Sequence, residues 1–226
     1  MTHPKPDKPV IMVKFCNLIT AFIRLGSMSD SDTAWTPEHF IGGHPALDLS
    51  NAVFDRRAPA ADVELLKSPR DVAGWLRAAG LAKDGQAQAV AAVADPALLI
   101  GTREVREASF AVFDAIARAA SPPPDALAAL FTRAASGLAA GTVALTGARP
   151  SLTLAQWQDP QAVAALLAIV SVEAFFTLPP ERVRSCPRCG WLFLDESRGG
   201  RRRWCSMRTC GNREKVSRHR ERQEGL

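Results

Sequence analysis

Four cysteines near the C-terminus constrain this chain more than any other feature. They stand as Cys186-Pro-Arg-Cys189 and, after fifteen intervening residues, as Cys205-Ser-Met-Arg-Thr-Cys210. A tetrahedral zinc site takes soft ligands as two close pairs from separate turns, and this interval between pairs suits a ribbon or a finger. Paired cysteines also pack in cores or form disulfides, but this degree of pairing favours one Zn2+ on the four thiolates of Cys186, Cys189, Cys205 and Cys210. The first pair has the spacing of a zinc knuckle; the second is looser, with four residues between its cysteines.

Charge gathers round the same ligands. Residues 181–226 hold thirteen Lys and Arg against six Asp and Glu, a net of +7, while the whole chain is only +5 and residues 1–180 are −2. Four thiolates on one Zn2+ leave the centre at about −2, so some of the neighbouring arginine (Arg184, Arg188, Arg208, Arg213) balances the metal site. About +5 remains, enough for contact with phosphates.

The segment can be built locally. Gly190 suits the turn of a knuckle, and residues 191–194 (Trp-Leu-Phe-Leu) read as a strand. Ser197-Arg-Gly-Gly200 supplies a turn, after which residues 201–205 are expected to return as a second strand. Cys210 is expected to open a helix to about residue 223, where the N-terminal dipole favours a thiolate. That order of knuckle, hairpin and helix is treble-clef-like.

In this last helix only Val216 is a substantial apolar side chain, so no stripe exists to bury; something else must hold it, and zinc is the candidate. Helical spacing places Lys215, Arg218 and Arg222 on one basic stripe and Arg213 with Arg220 on a second. Together with the run Arg201-Arg202-Arg203, the residues Arg213, Lys215, Arg218 and Arg222 are the candidate nucleic-acid contacts. The competing reading is a solvated charged end. Trp191, Phe193 and Trp204 are expected to form the small core of the module instead of base-stacking platforms. His219 reads as a surface residue, and Asp195 and Ser197 as a turn cap or an arginine partner.

The strings Cys186-Pro-Arg-Cys189-Gly-Trp-Leu-Phe193-Leu-Asp195, Arg202-Arg203-Trp204-Cys205 and Cys210-Gly211-Asn212-Arg213 resemble the CGNR zinc-finger family, named for the tetrapeptide at 210–213. Members carry the finger behind a helical domain called ABATE, and the stretch Gly42-Gly43-His44-Pro45-Ala46-Leu47-Asp48-Leu49-Ser50-Asn51 is similar to the motif that opens it. In many members the first cysteine pair is spaced more widely. The resemblance implies a stress-responsive transcription regulator or nucleic-acid-binding protein.

The remaining chain reads as one mainly helical domain. Ser68, Pro69 and Asp71 signal a helix start, followed by Val72, Trp75, Leu76 and Ala79 at helical spacing. A short helix is expected over 85–94. A long one runs from 95 toward 120, with Leu98, Val105 and Val112 seven apart and Ala108 and Ala115 between them, small residues that imply close helix contact. Pro122-Pro123-Pro124 ends it, and Leu127, Leu130, Phe131, Ala134 and Leu138 mark the next. Alternation then predicts a β-hairpin over 142–157. Asp159-Pro160 starts a helix whose 163–176 stretch is apolar nearly all round, the expected centre of the core. The fold class is therefore mainly α (α+β): a leader over 1–34, a helical domain with one β-hairpin over 35–178, and a zinc finger over 182–226. The stiff connector Leu178-Pro-Pro-Glu-Arg182 is short enough that the finger should dock on the helical domain.

No nucleophile–base pair or Gly-rich phosphate loop is apparent, so the chain is not expected to be an enzyme. His44, Asp48 and Asn51 are the one polar group that suggests a ligand pocket; capping or cross-linking of helix ends explains them better. Residues 10–23 are apolar but broken by Lys14 and Asn17, a poor membrane span, and they lack a cleavage pattern. The natural start is expected at Met28, with residues 1–27 foreign to it. Thiols grouped for metal suit a reducing cytoplasm. The expected function is a zinc-dependent nucleic-acid-binding regulator, with DNA favoured over RNA. The alternatives are a protein–protein adaptor with a structural zinc clip, or a sensor whose helical domain binds a small molecule.

Overall fold

The computed structural model describes residues 32–57, 63–146 and 151–224, and one compact unit spans Ser31–Leu226. The expected leader over 1–34, including Cys16 and the start at Met28, lies outside the described residues apart from its end. There, Thr33 is already tied down, its hydroxyl donating to Leu65 O at 2.6 Å.

Local signals place most helices. α1 (Pro45–Ser50) has His44 as N-cap and proline at its first position. α2 (Pro69–Ala78) starts with the predicted capping box: Asp71 N donates to the Ser68 hydroxyl, and Ser68 N donates to the Asp71 carboxylate at 2.7 Å. α3 (Asp84–Ala91) and α4 (Ala97–Ala117) follow, with Leu98, Val105 and Val112 all buried. α5 (Pro124–Ala139) leads into β1 (Val143–Thr146) and β2 (Ser151–Leu154), antiparallel with Val143 opposite Leu154. The side chain of Asp159 accepts from Gln161 N at 2.9 Å and starts α6 (Pro160–Thr177).

α6 is the central core helix. By length and composition it could cross a membrane, yet Ala162, Val163, Leu167 and Ala168 are fully buried, packed between α4 and α5. Close approach is what makes this possible. A Cβ on Gly137 of α5 would lie 2.3 Å from the Ala165 Cβ, so no side chain fits there. That contact also rotates α5 relative to expectation. Leu130, Ala134 and Gly137 face the core, whereas Phe131 and Leu138 are exposed. Small residues choose the face, and Phe131 meets Phe176 edge-on at 6.0 Å.

After a 3₁₀ turn at Pro180–Arg182, β3 (Val183–Ser185) pairs antiparallel with β4 (Leu192–Leu194), Val183 opposite Leu194. This corrects the predicted hairpin. Residues 201–205 form no strand; β4 takes its partner from the residues that directly follow the expected connector, and the knuckle Cys186-Pro-Arg-Cys189 is the connection between strands. A π turn, Met207–Gly211, then precedes α7 (Asn212–Glu224). The finger docks on the helical unit, as the short connector requires. Val183 and Leu192 share one buried cluster with Ala46, Leu47, Phe113, Val170 and Ala174, so the finger completes the body's core.

Candidate metal centre and nucleic-acid interface

The knuckle delivers two sulfurs, the loop before the π turn a third from Cys205, and the π turn itself the fourth from Cys210. Cys186, Cys189, Cys205 and Cys210 are all buried, and their four Sγ atoms lie within 4.8 Å of one another. Cys205 lies 3.5 Å from both Cys189 and Cys210, sulfur to sulfur. A tetrahedron with Zn–S bonds of ~2.3 Å has edges of about 3.8 Å, so the four thiols fit one Zn2+. The loose second pair now has a reason. Gly211 N donates to Ser206 O at 3.0 Å, a five-residue backbone bond wider than an α turn, which brings Cys205 and Cys210 together across five residues. Without metal, hydrogen bonds from Cys189 and then Cys205 hold the Cys186 thiol well below the usual range, while the same crowding by Cys186 pushes Cys189 and Cys205 up. A cation relieves that conflict by letting every sulfur ionise.

Around the ligands, the turn and loop are fixed by Asp195, which is fully buried. It accepts from Ser197 N at 2.9 Å, from the Ser197 hydroxyl at 2.5 Å and from Arg202 N at 2.8 Å. Burial opposes its charge, but the hydrogen bonds from Ser197 and Arg202 and the charge of Arg182 outweigh it and hold its pKa below the ordinary value. Phe193 is fully buried and Trp191 nearly so, with Trp204 packed beside them, as a small core requires.

His44, Asp48 and Asn51 cap and cross-link the ends of α1, with Asn51 reaching across a seam to the finger. The Asn51 amide donates to Leu192 O at 2.8 Å and accepts from Leu192 N at 2.7 Å, pairing like a strand with the free edge of β4. Leu194 N donates to Gly42 O at 2.7 Å, Trp191 Nε1 to Val53 O at 2.7 Å and Arg56 N to Cys189 O at 2.9 Å. At Gly190 (φ +76°) a Cβ would come within 2.8 Å of the Arg56 Cβ, so glycine serves both the knuckle turn and this contact. His44 caps α1 through Nδ1, and its Nε2 lies 3.0 Å from Glu173; burial pulls its pKa down against the pull of that carboxylate. Asp48 accepts from Gly42 N at 2.8 Å, and burial pushes its pKa up to about 7 despite that bond. The cross-linking partner of Asn51 lies 141 residues away, which is why sequence could offer the role but not the partner.

The candidate nucleic-acid residues divide. Arg202 is spent internally: Nε donates to Trp204 O at 3.0 Å, its terminal nitrogen to Cys205 O, and its guanidinium lies 4.5 Å from the centre of the Phe193 ring. Arg203 is exposed over Trp204, and Arg201 is exposed on the loop. On α7, Arg213, Lys215, Arg218 and Arg222 are exposed, but Arg218 is bridged to Glu214 at 3.0 Å. Arg213 and Arg220 instead join Arg188 and Arg208, with Asn212 and Ser217, round a surface groove of about 480 Å³. Arg188 faces Glu214 only at 3.7 Å, and Arg208, Arg213 and Arg220 have no acidic partner among the described residues. Arg188 and Arg208 were legible only as neighbours of the ligands; the knuckle and π turn are what bring them beside α7.

Two family models match this sequence. The CGNR zinc finger matches residues 182–223, and ABATE, described as "Putative stress-induced transcription regulator", matches residues 43–178. No match was found among curated proteins.

Proposed function

Because the chain belongs to the ABATE family and carries a CGNR zinc finger, we propose that it is a zinc-dependent transcription regulator whose finger contacts DNA. The observation that carries this reading is the groove of Arg188, Arg208, Arg213 and Arg220. Guanidinium groups beside Asn and Ser side chains, three of the four without an acidic partner among the described residues, are suited to a phosphate backbone. α7 supports it further. Val216 is half exposed, and the helix packs chiefly on the π turn before it, so its faces are open to a partner. Four sulfurs close the coordination sphere of zinc and leave no position for a substrate, and on that ground we assign the centre a structural role without catalysis at the metal. A reducing cytoplasm keeps such thiols available for metal.

The test is selection from a random duplex library alongside an RNA pool with zinc-loaded protein, followed by a salt titration. Contact with about four phosphates predicts log K falling against log salt with a slope near −3 to −4. Absence of affinity for any nucleic acid at low salt would refute the reading and favour an adaptor role.

A further inference from the structure

We propose that the finger accepts an unstacked nucleotide of single-stranded nucleic acid, with its base in a cleft over the sulfur centre and its phosphate on the adjoining arginine groove. This rests on the nucleic-acid reading above. A cleft of about 410 Å³ opens where the body's residues Pro37, His39, Ile41 and Phe54 face Trp191 of the finger, and the sulfur ligands Cys189, Cys205 and Cys210 line it as well. That volume lies in the range of pockets for small ligands, roughly 300–1,000 Å³. Arg208, Thr209 and Arg213 line both this cleft and the arginine groove, so the two concavities share a wall.

Their chemistry differs as the two halves of a nucleotide differ. The cleft carries aromatic and aliphatic side chains with sulfur beneath them and the carboxylates of Glu38 and Asp55 in its lining. A thiolate centre and a carboxylate repel phosphate but accept hydrogen bonds from the N–H groups of a neutral base. The groove holds Arg208, Arg213 and Arg220, which have no acidic partner among the described residues, and takes the phosphate. Phe54 supplies the platform. Its side chain is 56% exposed, it stacks on no ring among the described residues, and it lines the cleft. Every base offers a π-face to such a ring, so stacking selects unpaired bases and not a sequence. A base within a duplex must first leave its stack, a cost smallest for strands already single.

The experiment is a fluorescence titration of the zinc-loaded full chain with an oligonucleotide containing 2-aminopurine, as a single strand and as a perfect duplex. The single strand is expected to bind more tightly and its fluorophore to be quenched. Phe54→Ala should weaken single-strand binding roughly 5- to 100-fold, as for loss of one base–aromatic stack, with duplex binding unchanged and Phe54→Trp restoring it. Because Phe54 is exposed, zinc content and helicity should survive both changes. Binding of duplex and single strand with equal affinity, without quenching and without loss in Phe54→Ala, overturns this inference while leaving the nucleic-acid reading standing. Failure of both probes at low salt overturns both. Free AMP binding as tightly as the oligonucleotide overturns the assignment to a polymer.

Discussion

The helical body and the finger reach order by different physics. The body hides α6 on nearly every side and fits it against α4 and α5 through alanines and Gly137; apolar burial and close packing are sufficient there. The finger has Trp191, Phe193 and Trp204 and little else of its own to bury. It is held by four sulfurs, by the Asp195 hub and by the edge of β4, which Asn51 and Gly42 close from the body. A basic helix with hardly any apolar face can therefore exist beside a conventional core. Its charge stays at the surface because metal and seam, not burial, hold its base.

This contrast is broken most severely by taking away the metal. Structural zinc sites contribute on the order of 10 kcal/mol, so Cys205→Ser or strong chelation should release zinc and expose the amides of 183–224 to hydrogen exchange, while α4 and α6 stay protected. Equal loss in both regions would mean that the body also depends on the metal.

Asp48 predicts a pH effect confined to the seam. Its folded pKa of about 7 lies above the unfolded 3.8, so the folded state holds the proton more tightly. Stability from this group therefore rises as pH falls from about 7 toward 4, by up to about 4 kcal/mol, and is lost again as pH rises through 7. Urea denaturation should show wild type gaining on Asp48→Asn over that window; parallel pH profiles would contradict it.

Asn51→Ala removes both hydrogen bonds to Leu192 and strands its buried N–H and C=O groups. A loss of about 3 kcal/mol is expected, visible as a lower melting temperature and as faster exchange in β4 before α6. Gly137→Val should act on the body alone. Its side chain meets Ala165, and overpacking costs about 2 kcal/mol, read as a lower urea midpoint with zinc content unchanged.

What could be read in advance follows the same division. Ser68 with Asp71, Asp159 with Pro160, and the apolar run of α6 announce themselves because each depends on neighbours within a few residues. The four cysteines do so as well, since metal spacing is a local grammar. β3 is only three residues long, too short for alternation to show, and its pairing with β4 displaced the expected strand over 201–205. The π turn leaves no compositional trace. Asn51 meets Leu192 across 141 residues, and the arginine groove draws Arg188 and Arg208 from either side of the metal. Contacts made between distant segments were the part that residue patterns alone did not carry.

The most direct test of the account is equilibrium binding of labelled DNA by zinc-loaded and by metal-stripped protein across a salt series. The account predicts that zinc-loaded protein binds with a log–log salt slope near −3 to −4, and that stripping the metal, which loosens the knuckle and π turn supporting the arginine groove, removes most of the affinity. Unchanged binding after the metal is gone, or none at low salt while it is present, would contradict it.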